Sequence, residues 1–145
     1  MTNKTPDWSG LTLPHLIKWA EMTVRARVDA ALRAMPISSS QLLALVLLHE
    51  QSEATAADLA RLMHVTPQSM TTLLGPLRDQ GLIERRPDRA HRSRLQLRLT
   101  DHGRRVITQA RELTPRIEAD LLGDASDADR ATFRRLLARI ARPDG

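Results

Sequence analysis

Two helix-start signals stand close together in "ATAADLARLMHVTPQSMTTLL", where Thr55 leads into Ala-Ala-Asp58 and Thr66 into Pro-Gln-Ser69. A threonine hydroxyl accepts from backbone N–H groups two or three residues on. Asp58 completes a variant of the capping box, and Pro67 takes the first helical position, where its missing N–H costs nothing. With so little chain between the signals, the segment must form two short helices in succession, a helix-turn-helix. Leu59, Leu62, Met63 and Val65 make the inner face of the first, and Met70, Leu73, Leu74 and Leu77 that of the second.

The chain beyond the second helix completes a recognisable unit. From Arg94 it reads Arg-Leu-Gln-Leu-Arg-Leu, with Leu95, Leu97 and Leu99 on one face and Arg94, Gln96 and Arg98 on the other. Such alternation predicts a half-buried strand. Its partner is Leu82 to Arg86, and "RPDRAHRS" forms a basic hairpin tip, so the whole reads as a winged helix. Upstream, "SSSQLLALVLLHEQ" has serine caps and a nearly all-apolar body, which predicts the central buried helix.

Long amphipathic helices flank this unit. Apolar positions 13, 16, 17, 20, 24, 28, 31 and 35 keep a three-four spacing until Pro36, giving a helix too long for so small a core to cover. On the other side Thr100 caps a helix with apolar positions 106, 110, 113, 117 and 121, in which Pro115 invites a bend. "GDASDADR" interrupts it, Ser126 restarts it, and Phe133, Leu136, Leu137 and Ile140 form a last stripe. Residues 1–10 read as a loose tail and 11–145 as a single domain, mainly α with a small β wing.

Composition narrows the function. At 145 residues with 41% apolar content the chain can build one core, from aliphatic side chains because aromatics are scarce. It has no cysteine, hence no disulfide, thiolate ligand or thiol switch, and no apolar run near the roughly 20 residues of a membrane span. A cytoplasmic protein with no membrane contact is the expectation. The five histidines lack metal-ligand spacing, and no nucleophile motif, phosphate loop or carboxylate pair is evident, so neither metal nor cofactor nor enzymatic activity is expected.

Charge points to a partner. From Arg78 to Arg105 nine arginines face four acids, a local balance of +5 that equals the net charge of the whole chain. A basic block in an otherwise neutral chain suits a polyanion. On the second helix Thr66, Gln68, Ser69, Thr71, Thr72 and Arg78 lie off the apolar stripe and can meet base edges or phosphates in a major groove, with Gln68 the first choice for a base. Arg86, Arg89, His91, Arg92 and Arg94 of the wing complete the candidate DNA contacts.

Gly75-Pro76 interrupts the reading helix. Pro76 cannot donate to the Thr72 carbonyl, and Gly75, with no Cβ, relieves the clash that a residue before proline meets in the α region. The pair predicts a continuous but bent helix whose reading segment ends before Leu77 returns to the core and Gly81 turns into the wing.

Asp58-Leu59-Ala60, Leu77 followed by Gly81-Leu82-Ile83, Arg86 with Asp88, and Leu99-Thr100 with Gly103 together resemble the MarR family (multiple antibiotic resistance regulators) from about Ser38 to Leu121. The resemblance implies a homodimer whose terminal helices, 11–36 and 104–142, interlock around DNA-binding lobes of residues 38–103. It implies binding to a pseudo-palindromic operator on double-stranded DNA, usually as a repressor, and release by a small aromatic or anionic ligand. Leu13, Leu16, Leu136, Leu137 and Ile140 are then dimer contacts. His15, Trp19, Arg27, His49 and Met63 become ligand candidates, Trp19 for stacking and Arg27 or a histidine for a carboxylate, with ordinary packing the competing role. The family's wing usually carries Asp-x-Arg where this chain has His91 and Ser93, which leaves open which arginine enters the minor groove. An effector-independent DNA-binding protein and a winged-helix protein-interaction module are the alternatives.

Overall fold

The computed structural model describes residues 7–142. Eight main elements follow in order: α1 (Leu13–Ala31), α2 (Ser39–Gln51), α3 (Ala56–Leu62), α4 (Pro67–Asp79), β1 (Ile83–Pro87), β2 (Leu95–Leu99), α5 (Asp101–Leu122) and α6 (Asp127–Ala141). Hydroxyl caps start five of the helices. Ser38, Thr55, Thr66, Thr100 and Ser126 accept from Gln41, Asp58, Ser69, Gly103 and Asp129 N–H groups respectively. At α2 and α3 the reciprocal bond back to the cap is also made, so both capping boxes are complete.

In the second box the Asp58 carboxylate is held below its ordinary pKa, chiefly by the Thr55 hydroxyl and then by the Thr55 N–H. A depressed carboxylate pKa stabilises the fold above the unfolded value, about 4, and that contribution is lost as pH falls through the folded value. Melting followed across this acid range should therefore fall more steeply for the parent chain than for Asp58→Asn. Parallel curves would mean that the cap contributes nothing to acid sensitivity.

The core cluster lies entirely within residues 37–107. Leu45 and Leu48 of α2, Leu59 of α3, Met70 and Leu77 of α4, Leu82 before β1 and Ile107 of α5 are almost wholly buried in it. β1 and β2 pair antiparallel with Ile83 opposite Leu99 and Pro87 opposite Leu95. The first strand thus sits one residue further along than the expected Leu82 to Arg86, while the second ends at Leu99 as expected and omits only Arg94. Leu97 and Leu99 are buried as expected, but Leu95 is 49% exposed, because the hairpin has left the core by that point. Ala54 adds a short third rung, exchanging bonds with Leu97, which no local pattern announces.

α4 runs unbroken through Gly75 and Pro76. A Cβ at Gly75 would meet nothing within 4 Å beyond its own helix, so the proline that follows is what favours a glycine there. At the end of α4 the Gly81 N–H bonds the Arg78 carbonyl and the Leu82 N–H bonds that of Leu77, with Gly81 at φ +69°. This is a Schellman stop, and it aims the chain into the wing.

The flanking helices behave differently. Neither α1 nor α6 buries a single residue, and α5 buries only Gly103, Val106, Ile107 and Ala110 in its first half. Trp8–Gly10, inside the stretch expected to be a loose tail, forms a 3-10 turn capped by Asp7, and the Trp8 ring meets Trp19 edge-on at 5.3 Å. Positions 1–6 of that tail and 143–145 of the domain lie outside the described residues. Among the described residues no single helix is long and apolar enough to cross a membrane.

Candidate nucleic-acid interface

α4 presents Thr66, Gln68, Ser69, Thr71, Thr72 and Arg78 to solvent, while Met70, Leu74 and Leu77 fix its opposite face in the core. Several of these polar groups are already engaged. The Thr66 hydroxyl donates to Ser69 Oγ and accepts from the Ser69 N–H. Thr71 and Thr72 donate to the carbonyls of Pro67 and Gln68, at 3.0 and 3.1 Å. Their hydroxyls retain acceptor lone pairs, suited to a base amino group, and a threonine methyl can meet that of a thymine. Gln68 and Arg78 have no side-chain partner among the described residues, which makes them the free readers on this face.

In the wing the arginines divide into two groups. Arg86 pairs with Glu84 at 2.8 Å and Arg98 with Glu53 at 3.2 Å, so both are partly neutralised. Arg86, grouped with the DNA contacts by sequence, is thus committed to a neighbour on its own strand. Arg85, Arg89, Arg92 and Arg94 are exposed and make no ion pair among the described residues. His91 and Ser93 are exposed beside them.

Asp88 organises the tip that carries these charges. Its carboxylate accepts from the N–H groups of Ala90 at 2.7 Å and His91 at 3.3 Å, and from Gln96 Nε2 at 2.9 Å. Its own N–H bonds the Arg94 carbonyl, and the Arg94 N–H bonds that of His91. The Gln96 side chain, followed by the Ala90 N–H, holds the Asp88 carboxyl below the usual range. In sequence Gln96 is only a polar strand position; its contact with Asp88 spans eight residues, beyond any turn signature.

The five ligand candidates are not brought together. His15 shares a 2.9 Å hydrogen bond with the Thr12 hydroxyl, Trp19 packs on Trp8, and Arg27 donates to the Asp120 carbonyl at 3.2 Å. His49 is exposed rather than enclosed at the end of α2, and Met63 packs against the core of the lobe. Two large clefts border α1 instead. One, of about 590 Å³, lies against α5 and α6 and includes Thr23, Glu118, Phe133 and Arg134; the other, about 750 Å³, lies against α2 and includes Leu13, Ile17, Leu43 and Val46. None of the five lines either cleft. Among the described residues no group of three metal-ligating side chains assembles.

A helix-turn-helix with an exposed reading face, followed by a two-stranded basic wing, defines a winged-helix DNA-binding protein. The MarR family profile matches residues 37–92, the segment that builds most of this lobe. The HTH-type transcriptional repressor Rv2887 of Mycobacterium tuberculosis is 27% identical over 128 residues, 88% of this chain and 92% of its own. The crystal structure of that MarR family protein in complex with p-aminosalicylic acid superposes with a TM-score of 0.75 at 26% identity, covering 91% of this chain and all of the other. A mutant of Escherichia coli MarR, crystallised with operator DNA, shares the fold at a TM-score of 0.79 and 20% identity over 93% of this chain and 99% of its own. Over its winged-helix lobe the chain is thus similar to the MarR family, whose members are transcriptional regulators rather than enzymes.

Proposed function

We propose that this protein is a homodimeric repressor acting in the cytoplasm, which binds a pseudo-palindromic operator and leaves it when a small aromatic or anionic molecule binds. The observation that carries the DNA-reading part is the outward face of α4, with Gln68 and Arg78 unengaged among the described residues, beside the four wing arginines without an ion pair there. A helix of this width enters a major groove, and an arginine on an adjoining wing is drawn to the negative potential of a narrow minor groove. The M. tuberculosis repressor and the E. coli protein with operator DNA support the same reading.

Support for the dimer comes from α6, where Phe133, Leu136, Leu137 and Ile140 stand 41–62% exposed on one stripe of a helix that buries nothing. Apolar exposure this continuous is rare on a monomer. The p-aminosalicylic acid complex of the relative supports an aromatic acid as effector, and the clefts beside α1 offer room for one. Titrating aromatic acids while following melting temperature and DNA release tests this part. If none produces either change, the regulator is effector-independent.

DNA reading divides into two contributions that separate experimentally. If each subunit neutralises three or four phosphates, log K against log salt slopes at roughly −6 for the dimer. Arg92→Ala should weaken binding to every duplex and flatten that slope by about one unit per subunit, whereas Gln68→Ala should weaken the operator selectively, by about 1–3 kcal/mol per half-site. Salt-titrated gel shifts in which both changes act equally on operator and random DNA would refute the division. Failure to bind DNA at low salt would favour a protein-interaction module.

A further inference from the structure

Pro76 has no N–H, so the Thr72 carbonyl receives no helical bond from it, and the recognition helix loses a rung in its second half. A helix missing a rung bends more easily there. Two side chains act on either side of this gap. Gln41 Nε2, from the first turn of α2, donates to the Leu73 carbonyl at 3.3 Å in a partly buried bond. Gln80 Nε2, just past the end of α4, donates to the Pro36 carbonyl at 3.1 Å.

Both bonds lead to the short connection between α1 and α2. Gln41 Oε1 accepts from the Ser38 N–H at 2.9 Å, so one amide group serves the α2 cap with its oxygen and α4 with its nitrogen. The connection is itself fixed. Leu32 and Ile37 are buried, the Met35 N–H bonds the Leu32 carbonyl, and Asp29 of α1 accepts from the Ser39 N–H at 2.6 Å. Packing of Met70, Leu74 and Leu77 fixes the face of α4 turned to the core, but apolar contacts are not directional. The two glutamine bonds supply the direction, and they do so around Pro76.

We propose that Gln41 and Gln80 are positioning residues which lock the recognition helix to the α1–α2 connection and thereby set how well operator is told from other DNA. This lock rests on the DNA-reading function proposed for α4. Base readout depends on side-chain placement within a fraction of an ångström, whereas phosphate attraction tolerates small shifts. Loosening the helix should therefore cost discrimination and spare non-specific binding.

Gln41→Glu keeps the acceptor for the Ser38 N–H and turns the donor to Leu73 into a carboxylate oxygen that repels that carbonyl; Gln80→Met keeps the length of the side chain and removes its donor without adding charge. Anisotropy titrations of the full chain would use a duplex selected by the parent from a random pool, with an unrelated duplex as reference. Each variant should lower the ratio of the two affinities about fivefold and the double variant by about twentyfold or more, with the salt slope unchanged and melting within a few degrees of the parent. A purely structural role would lower the melting temperature and weaken both duplexes together, leaving the ratio intact. Ratios within about twofold of the parent for the folded variants overturn the proposal, and Gln80→Met, whose bond lies at the surface, decides it alone if Gln41→Glu does not fold. A parent chain that selects no duplex overturns the DNA-reading function, and this lock with it.

Discussion

Gly103→Ala should be among the most damaging single changes in the lobe, lowering stability by about 3 kcal/mol or more. Gly103 sits in the first turn of α5, and a Cβ there would collide with the Leu82 carbonyl oxygen while crowding the Leu82 carbonyl carbon and Leu99 Cδ2, each at 3.1 Å. That oxygen cannot move aside, because it accepts the Thr100 N–H at 3.1 Å. Thr100 in turn donates its hydroxyl to the Gly81 carbonyl and receives the Gly103 N–H at 3.0 Å. The added methyl therefore meets backbone that is fixed by a closed set of bonds. A drop of roughly 10 °C or more in thermal melting followed by circular dichroism is expected. Melting within about 1 °C of the parent would mean that the start of α5 shifts freely, contrary to this bonding. The substitution lies off the reading face, so any DNA binding lost by Gly103→Ala should return on cooling below the transition.

Introducing charge on the α6 stripe should have the largest effect on DNA binding. On the proposed dimer, Leu136→Glu with Ile140→Glu places carboxylates where two chains meet, and neither can be buried without a cation or hydrogen bonds. The pair should sediment as a monomer at micromolar concentration. Operator affinity should fall at least about a hundredfold, because two half-sites engaged together gain from a high effective concentration that one lobe alone lacks. The core cluster lies within residues 37–107, so melting of the lobe itself should survive. A charged double variant that remains dimeric and binds operator normally would refute α6 as the interface.

Caps and periodic stripes make most of the fold legible. Each hydroxyl cap from Ser38 to Ser126 acts within four residues of chain, and so does the alternation of Leu97 and Leu99. The rest depends on meetings between distant segments. Nothing near Ala54 tells that it pairs with Leu97, and nothing near Gln41 or Gln80 tells that they reach Leu73 and Pro36. The candidate interface is legible as a face and a charge, but not as a ranking. Arg86 and Arg92 look alike in sequence; only the position of Glu84 beside Arg86 separates the paired from the free. The ligand candidates are the least legible, because Trp19 and Arg27 meet Trp8 and Asp120, partners that sequence spacing does not specify, while His15 turns to Thr12 at the start of its own helix.

The helix α5 has its first half set in the core and its second half, beyond Ala110, outside it. Mechanically this is a lever with a clamped end. The outer arm of about twelve residues, tied to α1 by the Arg27 bond to the Asp120 carbonyl, extends roughly 18 Å, so a tilt of about 10° at the clamp carries its tip by about 3 Å. DNA repeats its major groove about every 34 Å, and a pair of reading helices fits only when their separation matches that repeat. On the proposed dimer, a small rotation where α5 leaves the core is thus enough to take two lobes in or out of step with the double helix, without altering a single reading side chain.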